Sequence, residues 1–493
     1  MGLFIGIDLG TTGIRGIVVD AESQVLVSRE RSIPMASLYE GVGHLMAGWN
    51  EQNPLSWEEN THQLLTEIIR ELKNSGFNPE EIKAICSDST SGTVLAVDQS
   101  GKVLTSAIMY NDIRAQEEAE IIQKSAENYS KKVGYKFKAS FSLPKIFWMK
   151  RHLPEIFAKT YKFLHANDFL IGLLTGEYCH SDASNCLKAG YNFIDGKWPS
   201  FIDEDLGISS EKLPEVVLPG EKVGRTSEKL DQITGFPSGT LVLGGATDST
   251  MALVASGASV AGDVFSSLGT TLVTRVLTRE LIRDPQGRVY CHVLPGKDRI
   301  YLPGGASSVG AECLKAYFRE INYKEYDQKA LEYFPSKVIT YPLVKRGERF
   351  PFVDPTAEHF YQGRAENKHE KYTAYLQAVA FVERLSIEVL ESLGAEIGER
   401  VFTIGGATRS NPWLQIRADV LQKSIFRPKI IEAAYGAAIV AASTVIYNEN
   451  LTAAIKQFVQ PDIIIEPRRK MSEKLDKRYH EFLSEIKKRF KIE

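Results

Sequence analysis

Two apolar runs open the chain: Phe4, Ile5, Ile7 and Leu9, then Ile14, Ile17, Val18 and Val19. They flank a Gly-Thr-Thr-Gly turn and predict a β-hairpin over residues 5–20, IGIDLGTTGIRGIVVD. Leu64, Leu65, Ile68, Ile69 and Leu72 share one helical face, and Gly76 follows as a stop, which predicts a helix over 56–73. Residues 81–86 and 93–98 read as strands around the polar turn SDSTSG. The segment from about 112 to 175 reads as helix-rich. The alanine-rich stretch 433–445, with Gly436 inside it, reads as a core helix that permits close backbone approach.

A weak internal repeat overlays this pattern. LGTTG at 9–13 recurs as LGTTL at 268–272, and GGATDS at 244–249 recurs as GGATRS at 405–410. Each half would run from a threonine hairpin to a GGAT loop, with the boundary near Gly257–Gly262. The first half has the longer interval, with room for an inserted substrate-binding region.

Composition narrows the class. A chain of 493 residues holds more than one core, and 43% apolar with 25% charged residues is ordinary for a globular protein. A net charge of −3 supplies no basic field for nucleic acid. Five cysteines without a CxxC pair fit reduced thiols in a cytoplasm. No signal peptide and no membrane-length apolar run is visible.

The chemistry gathers at the turns. Glycines at a hairpin tip expose N–H groups that can cradle anions, and threonines add rotatable donors. Gly10-Thr11-Thr12-Gly13 and Gly269-Thr270-Thr271 could thus grip a polyphosphate. Neither turn contains lysine and the chain has no P-loop, so Mg²⁺ is the expected counter-charge, and Asp8 stands one residue before the turn to hold it. The alternative is an ordinary hairpin carrying an exposed aspartate. Asp248, after Gly244-Gly245-Ala246-Thr247, is either a helix N-cap or the base that takes a proton from an attacking alcohol. Gly405-Gly406-Ala407-Thr408 precedes another helix and can admit the flat face of a base. HExxH, GxSxG and GxGxxG are absent, and the nine histidines show no ligand spacing.

Taken together, these stretches resemble the FGGY family of carbohydrate kinases, in the actin-like ATPase superfamily. The resemblance rests on IGIDLGTTGIRGIVVD, GWNEQNP (48–54), YNDIR (110–114), GGATDS, SLGTT (267–271), GERFPFVDP (347–355), GGATRSNPW (405–413) and EAAYGAAIVAA (432–442), in family order over nearly the whole chain. It implies two actin-like (ribonuclease H-like) α/β ATPase domains flanking a deep cleft that closes to exclude water. Residues 1–257 would bind sugar and carry the base, and 258–493 would bind nucleotide. It implies Asp248 as catalytic base, and Asp8 as the residue that organises Mg²⁺ and approaches the reactive hydroxyl. Thr11, Thr12 and Gly13 match one phosphate loop, and Gly269 and Thr270 the other. Gly405, Gly406 and Ser410 match the adenosine loop, with Gly304 and Gly305 lining the nucleotide cleft. Sugar contacts would come from Ser91, Gly92 and Asp112 besides Asp8 and Asp248.

The expected cofactors are ATP and Mg²⁺. The expected partner is a small-molecule sugar, with at most a second copy of the chain and neither nucleic acid nor membrane. DSTSGT at 88–93, NCLKAGY at 185–191 and YPLVKRGERFPF at 341–352 resemble the cyanobacterial and plant-type D-ribulose kinases, which makes D-ribulose the expected acceptor. YNDIR is closer to the WNDGR of xylulokinases and keeps D-xylulose beside it, with other sugars or polyols behind. An actin-like ATPase without an acceptor, or a sugar sensor without kinase activity, are the readings from other classes. The first lacks room for a sizeable appendage, and the second fits poorly with retention of Asp8 and Asp248.

Overall fold

A computed structural model describes residues 2–34, 47–490 and 492. The opening pattern forms the hairpin it predicts: β1 (Leu3–Leu9) pairs antiparallel with β2 (Gly13–Asp20), which pairs antiparallel with β3 (Val25–Ser32). Helix α1 (Pro54–Asn74) is capped by Asn53, whose side chain accepts from Leu55 N at 3.0 Å. Its buried stripe contains the five residues expected, with Pro54, Trp57, Asn60 and Thr61 added.

β4 (Ile82–Ser89) runs parallel to β1 and extends past the strand expected at 81–86, so Asp88 and Ser89 are ladder residues rather than turn residues. The extension has a physical cause. A short strand β7 (Ala246–Thr247) pairs parallel with the end of β4, and this supplies backbone partners for two polar positions that would otherwise end the strand. With β5 (Lys222–Arg225) and β6 (Leu241–Leu243) the sheet order is β5-β6-β4-β1-β2-β3, and α2 (Asp248–Ser256) leaves directly from β7. The segment 112–175 is helix-rich as expected, with helices at Gln116–Ser125, Glu127–Val133, Ser142–His152, Pro154–Lys159 and Ala166–Thr175.

The chain divides into two compact units. The first is Met1–Ala255 with His292–Arg299 and Glu432–Phe458; the second is Ser256–Cys291, Ile300–Ile431 and Val459–Glu493. The expected contiguous division at 257 meets the end of the first long segment, but the helix Ala433–Ile446 joins the first unit. The reason is steric fit. An ideal Cβ on Gly6 of β1 would lie 1.8 Å from Ala434 O, and one on Gly436 would lie 1.9 Å from Met251 O in α2. Small residues on both sides let the backbones touch.

The second unit repeats the first unit's core order. β8 (Val264–Leu268) and β9 (Leu272–Val276) form a hairpin, β10 (Tyr301–Ser307) follows antiparallel, and β11 (Arg400–Ile404) lies parallel on the other side of β8. Beyond it come β12 (Ser424–Pro428) and β13 (Pro461–Ile465), giving β10-β9-β8-β11-β12-β13. The GTT hairpins therefore occupy equivalent places. The two GGAT loops do not: Gly244 follows β6, two strands from the hairpin, whereas Gly405 follows β11, which is next to it. That half of the repeat is a likeness of turn chemistry, not of position.

Helices α3 (Lys368–Ser392) and α4 (Asn411–Leu421) are joined by a buried ion pair. Arg417 Nε and Nη2 each donate to a Glu383 oxygen at 2.7 Å, and the remaining donors reach Thr403 Oγ1 at 2.9 Å and Ser266 Oγ at 3.1 Å. With four of the five guanidinium donors engaged, the pair fixes how the helices seat on β8 and β11.

Gly6→Ala is expected to lower the midpoint of thermal unfolding, because overpacking of this kind costs about 1–3 kcal/mol or more. Circular dichroism melts would read it, and an unchanged midpoint would mean that the helix Ala433–Ile446 does not pack at Gly6.

Candidate functional site

In the first unit, register decides which side chains meet. Asp8 stands opposite Asp88 across the β1–β4 ladder, and Ala246 and Thr247 stand opposite Asp88 and Ser89. Asp248 follows at once as the first residue of α2, and its Oδ1 accepts from Ser249 N at 2.6 Å. Two expected residues, Asp8 and Asp248, thus come together, and Asp88 joins them between.

Charge physics marks the group as unusual. Burial, then the Asp248 carboxylate, pushes the Asp8 pKa up to about 6. Burial, then Asp8 and Asp248, pushes Asp88 well above the ordinary carboxylate range. Asp88 is fully buried, and neither of its oxygens faces a protein donor. Carboxylate faces carboxylate here, and burial together with the neighbouring acids drives Asp88 towards its protonated form.

Nearby hydroxyls are also uncommitted. Ser89 Oγ and Ser91 Oγ are sealed from solvent without a partner. Buried polar atoms are normally paired, so this run of orphans points to a ligand rich in hydroxyls.

The hairpin tip beside them is braced from behind. Gly10 N donates to Gly13 O at 2.9 Å, Gln52 Nε2 to Thr11 O at 2.6 Å, and Ile33 N to Thr12 O at 2.9 Å. Thr12 is exposed, and Thr11 and Gly13 are half-buried. Arg15, opposite Asp8 on β2, is shared between Glu30 and Glu432, the latter at 3.4 Å.

Asp112 does not join this group. Its carboxylate is buried and both oxygens are taken: Asn50 N donates to Oδ2 at 2.6 Å, and Arg114 donates to Oδ1 from its backbone N at 2.9 Å and to Oδ2 from Nη2 at 2.7 Å. Arg114 also pairs with Glu51 at 2.8 Å and lies 3.9 Å from the Trp49 ring centroid. A charged fork with two acid partners leaves Asp112 no free lone pair in good geometry for a sugar. The D-x-R spacing in YNDIR could have been read as this local pair.

In the second unit, a cavity of about 1070 Å³ opens over Gly269 and Thr270 on one side and Gly406, Ser410 and Trp413 on the other. Ser410 caps α4, its Oγ accepting from Trp413 N at 3.2 Å. Lys315, Lys324 and Arg409 add positive charge to the lining, and the positive end of α4 faces the same space. Asp327 also lines it; it accepts from Tyr372 Oη at 2.8 Å and from Ser410, while burial raises its pKa. No motif flagged Asp327 or Tyr372, which lie on ordinary-looking amphipathic helices.

Gly405 takes a positive φ of 100°, and its Cβ would lie 2.5 Å from Leu268 O, so glycine is required there by the approach of β8. Gly304 and Gly305 do not line the cavity as expected. A Cβ on Gly304 would lie 2.3 Å from Thr274 O, and one on Gly305 would lie 2.6 Å from the Phe350 ring. Both are spacers within and behind the sheet.

Among the described residues no helix is long and apolar enough to cross a membrane.

The matches to known proteins span most of the chain. The profile of the FGGY family of carbohydrate kinases, N-terminal domain, matches residues 3–255, and that of the C-terminal domain matches 225–445. A xylulose kinase of Bacillus subtilis is 27% identical over 480 residues, covering 95% of this chain and 93% of its own. A glycerol kinase of Thermococcus onnurineus is 28% identical over 464 residues, covering 91% and 90%. The crystal structure of a xylulose kinase from Rhodospirillum rubrum superposes with a TM-score of 0.87 at 25% identity, covering 99% and 98% of the two chains.

Asp88→Asn tests the buried proton. A carboxyl whose folded pKa is raised stabilises the fold fully only below its unfolded value, near 4, and loses that contribution as pH rises towards the folded pKa. Asparagine does not ionise. The stability of Asp88→Asn relative to the parent should therefore climb with pH above about 4, by up to about 1.4 kcal/mol per pH unit. Urea unfolding at several pH values reads the difference, and a gap that stays flat with pH would contradict the buried proton.

Proposed function

This chain belongs to the FGGY family of carbohydrate kinases and is an ATP-dependent phosphotransferase acting on a small-molecule sugar; we propose that the acceptor is D-xylulose. The observation that carries a polyol acceptor is the run of Asp88, Ser89 and Ser91, whose unmet buried oxygens lie beside Asp8 and Asp248 and suit the hydroxyls of an open-chain sugar. The choice of xylulose is supported by the full-length relatives of that name and by YNDIR. DSTSGT at 88–93 favours a second reading, D-ribulose, which the sequence had placed first.

In this reading Asp248 accepts the proton of the sugar hydroxyl that attacks the γ-phosphoryl group, and Asp8 orients that hydroxyl. Ser91 and Gly92 contact the sugar. Thr11, Thr12 and Gly13 offer donors to phosphate oxygens, as do Gly269 and Thr270. The large cavity takes the nucleoside, with Gly406 and Ser410 at its base edge. The repulsion between the Asp8 and Asp248 carboxylates suits a divalent cation, so Asp8 would hold Mg²⁺, which when bound offsets phosphate charge.

ADP release measured with D-xylulose, D-ribulose, ribitol, glycerol and gluconate tests the assignment. The highest kcat/KM is expected with D-xylulose. A clear preference for D-ribulose installs the second reading, and stimulation by none of them overturns the kinase reading of this site. Asp248→Asn should lower kcat about 10²- to 10⁴-fold with the KM for ATP unchanged. Near-normal kcat would remove Asp248 as the base.

A further inference from the structure

The turn that carries Ser91 and Gly92 is held in an unusual way. Its two successive carbonyls are each bound by a lysine: Lys188 Nζ donates to Ser91 O at 3.0 Å, and Lys145 Nζ donates to Gly92 O at 2.8 Å. Lys145 also donates to Met109 O at 2.7 Å and to Ser140 O at 3.2 Å. It is fully buried in the helix Ser142–His152. Three carbonyls around one nitrogen match the three N–H donors of an ammonium group.

Burying a cation among carbonyls is costly, and a methionine or leucine would fill the same volume at less expense in free energy. The charged groups around Lys145 do not explain it as an ion pair. Lys188 and Arg114 oppose its charge and Asp112 favours it, and burial outweighs them all in lowering its pKa. What the ammonium does achieve is connection. It ties the 91–92 turn to Met109, just ahead of the Tyr110–Arg114 segment, and to Ser140, just ahead of its own helix.

The turn has little freedom left. Gly92 adopts a φ of +90°, and a Cβ there would lie 2.8 Å from Ser140 O and 3.0 Å from Lys188 Cδ. Lys188 itself sits 5.7 Å from the Phe141 ring centroid, in cation–π range. The backbone is thus gripped through its carbonyls, while the Ser91 hydroxyl keeps no protein partner.

We propose that Lys145 and Lys188 are positioning residues that hold the Ser91–Gly92 turn so that Ser91 Oγ meets a hydroxyl of the sugar, and that they thereby set sugar affinity and the preference for a pentulose over a shorter polyol. This rests on the reading of Ser91 as a sugar contact.

Lys188→Met and Lys188→Arg in the full chain test it, with Lys145→Met as a harsher variant. Lys188→Met should raise the sugar KM tenfold or more, leave the KM for ATP within twofold, and narrow the ratio of kcat/KM for D-xylulose over glycerol. Lys188→Arg, which keeps a donor, should recover most of the loss. An unchanged sugar KM in Lys188→Met overturns the proposal. So does a parallel loss of sugar KM, ATP KM and melting temperature, which would mark a general packing role. A parent enzyme active on sugars with these variants unaffected removes only the positioning role; a parent inactive on every sugar removes the function reading and this proposal with it.

Discussion

The chemistry of the first unit depends on one register. Parallel pairing of β1 with β4 sets Asp8 beside Asp88, and β7 on the other flank delivers Asp248 to the same place. A slip of one residue in either ladder would turn these side chains to the opposite face. Three acids in one buried neighbourhood are unfavourable for folding, since like charges and desolvation both disfavour ionisation. The ladders, with apolar strands behind them, impose the arrangement anyway. That is the usual sign of geometry kept for a ligand rather than for stability.

The second unit solves a related problem with different means. Its cavity uses a helix end, a capping serine and three basic side chains, where the first unit uses acids and hydroxyls. One environment presents basic side chains and a helix N-terminus, the other carboxylates and hydroxyls. The shared hairpin core, repeated in the same strand order, supports both because the loops at the strand ends carry the difference.

Much of this was legible in the linear pattern. Alternating apolar residues around GTTG declared the hairpin, and the spacing of Leu64 to Leu72 declared α1, because both depend on short-range periodicity. Asp8, Asp248 and Gly269 stood out beside glycine turns, each with an ordinary structural alternative, and Ser410 came from the family resemblance. What stayed hidden depends on pairing between distant segments. Asp88 looked like a turn residue until β7 paired with its strand, and Asp112 looked free until Arg114 folded back on it. The GGAT likeness misled because four identical letters served two different strand ends. Lys145 sits in a segment whose apolar neighbours suggest an unremarked helix, and only the fold shows the three carbonyls around it.

The helix Ala433–Ile446 has a consequence for biogenesis. It covers β1 through contacts as close as Gly6 allows, yet it is made long after that strand. During synthesis the first sheet therefore emerges before the helix that packs against Gly6 has been made. Until that late segment leaves the ribosome the face of β1 around Gly6 lacks its native cover, the kind of transient exposure that favours misassembly in larger chains.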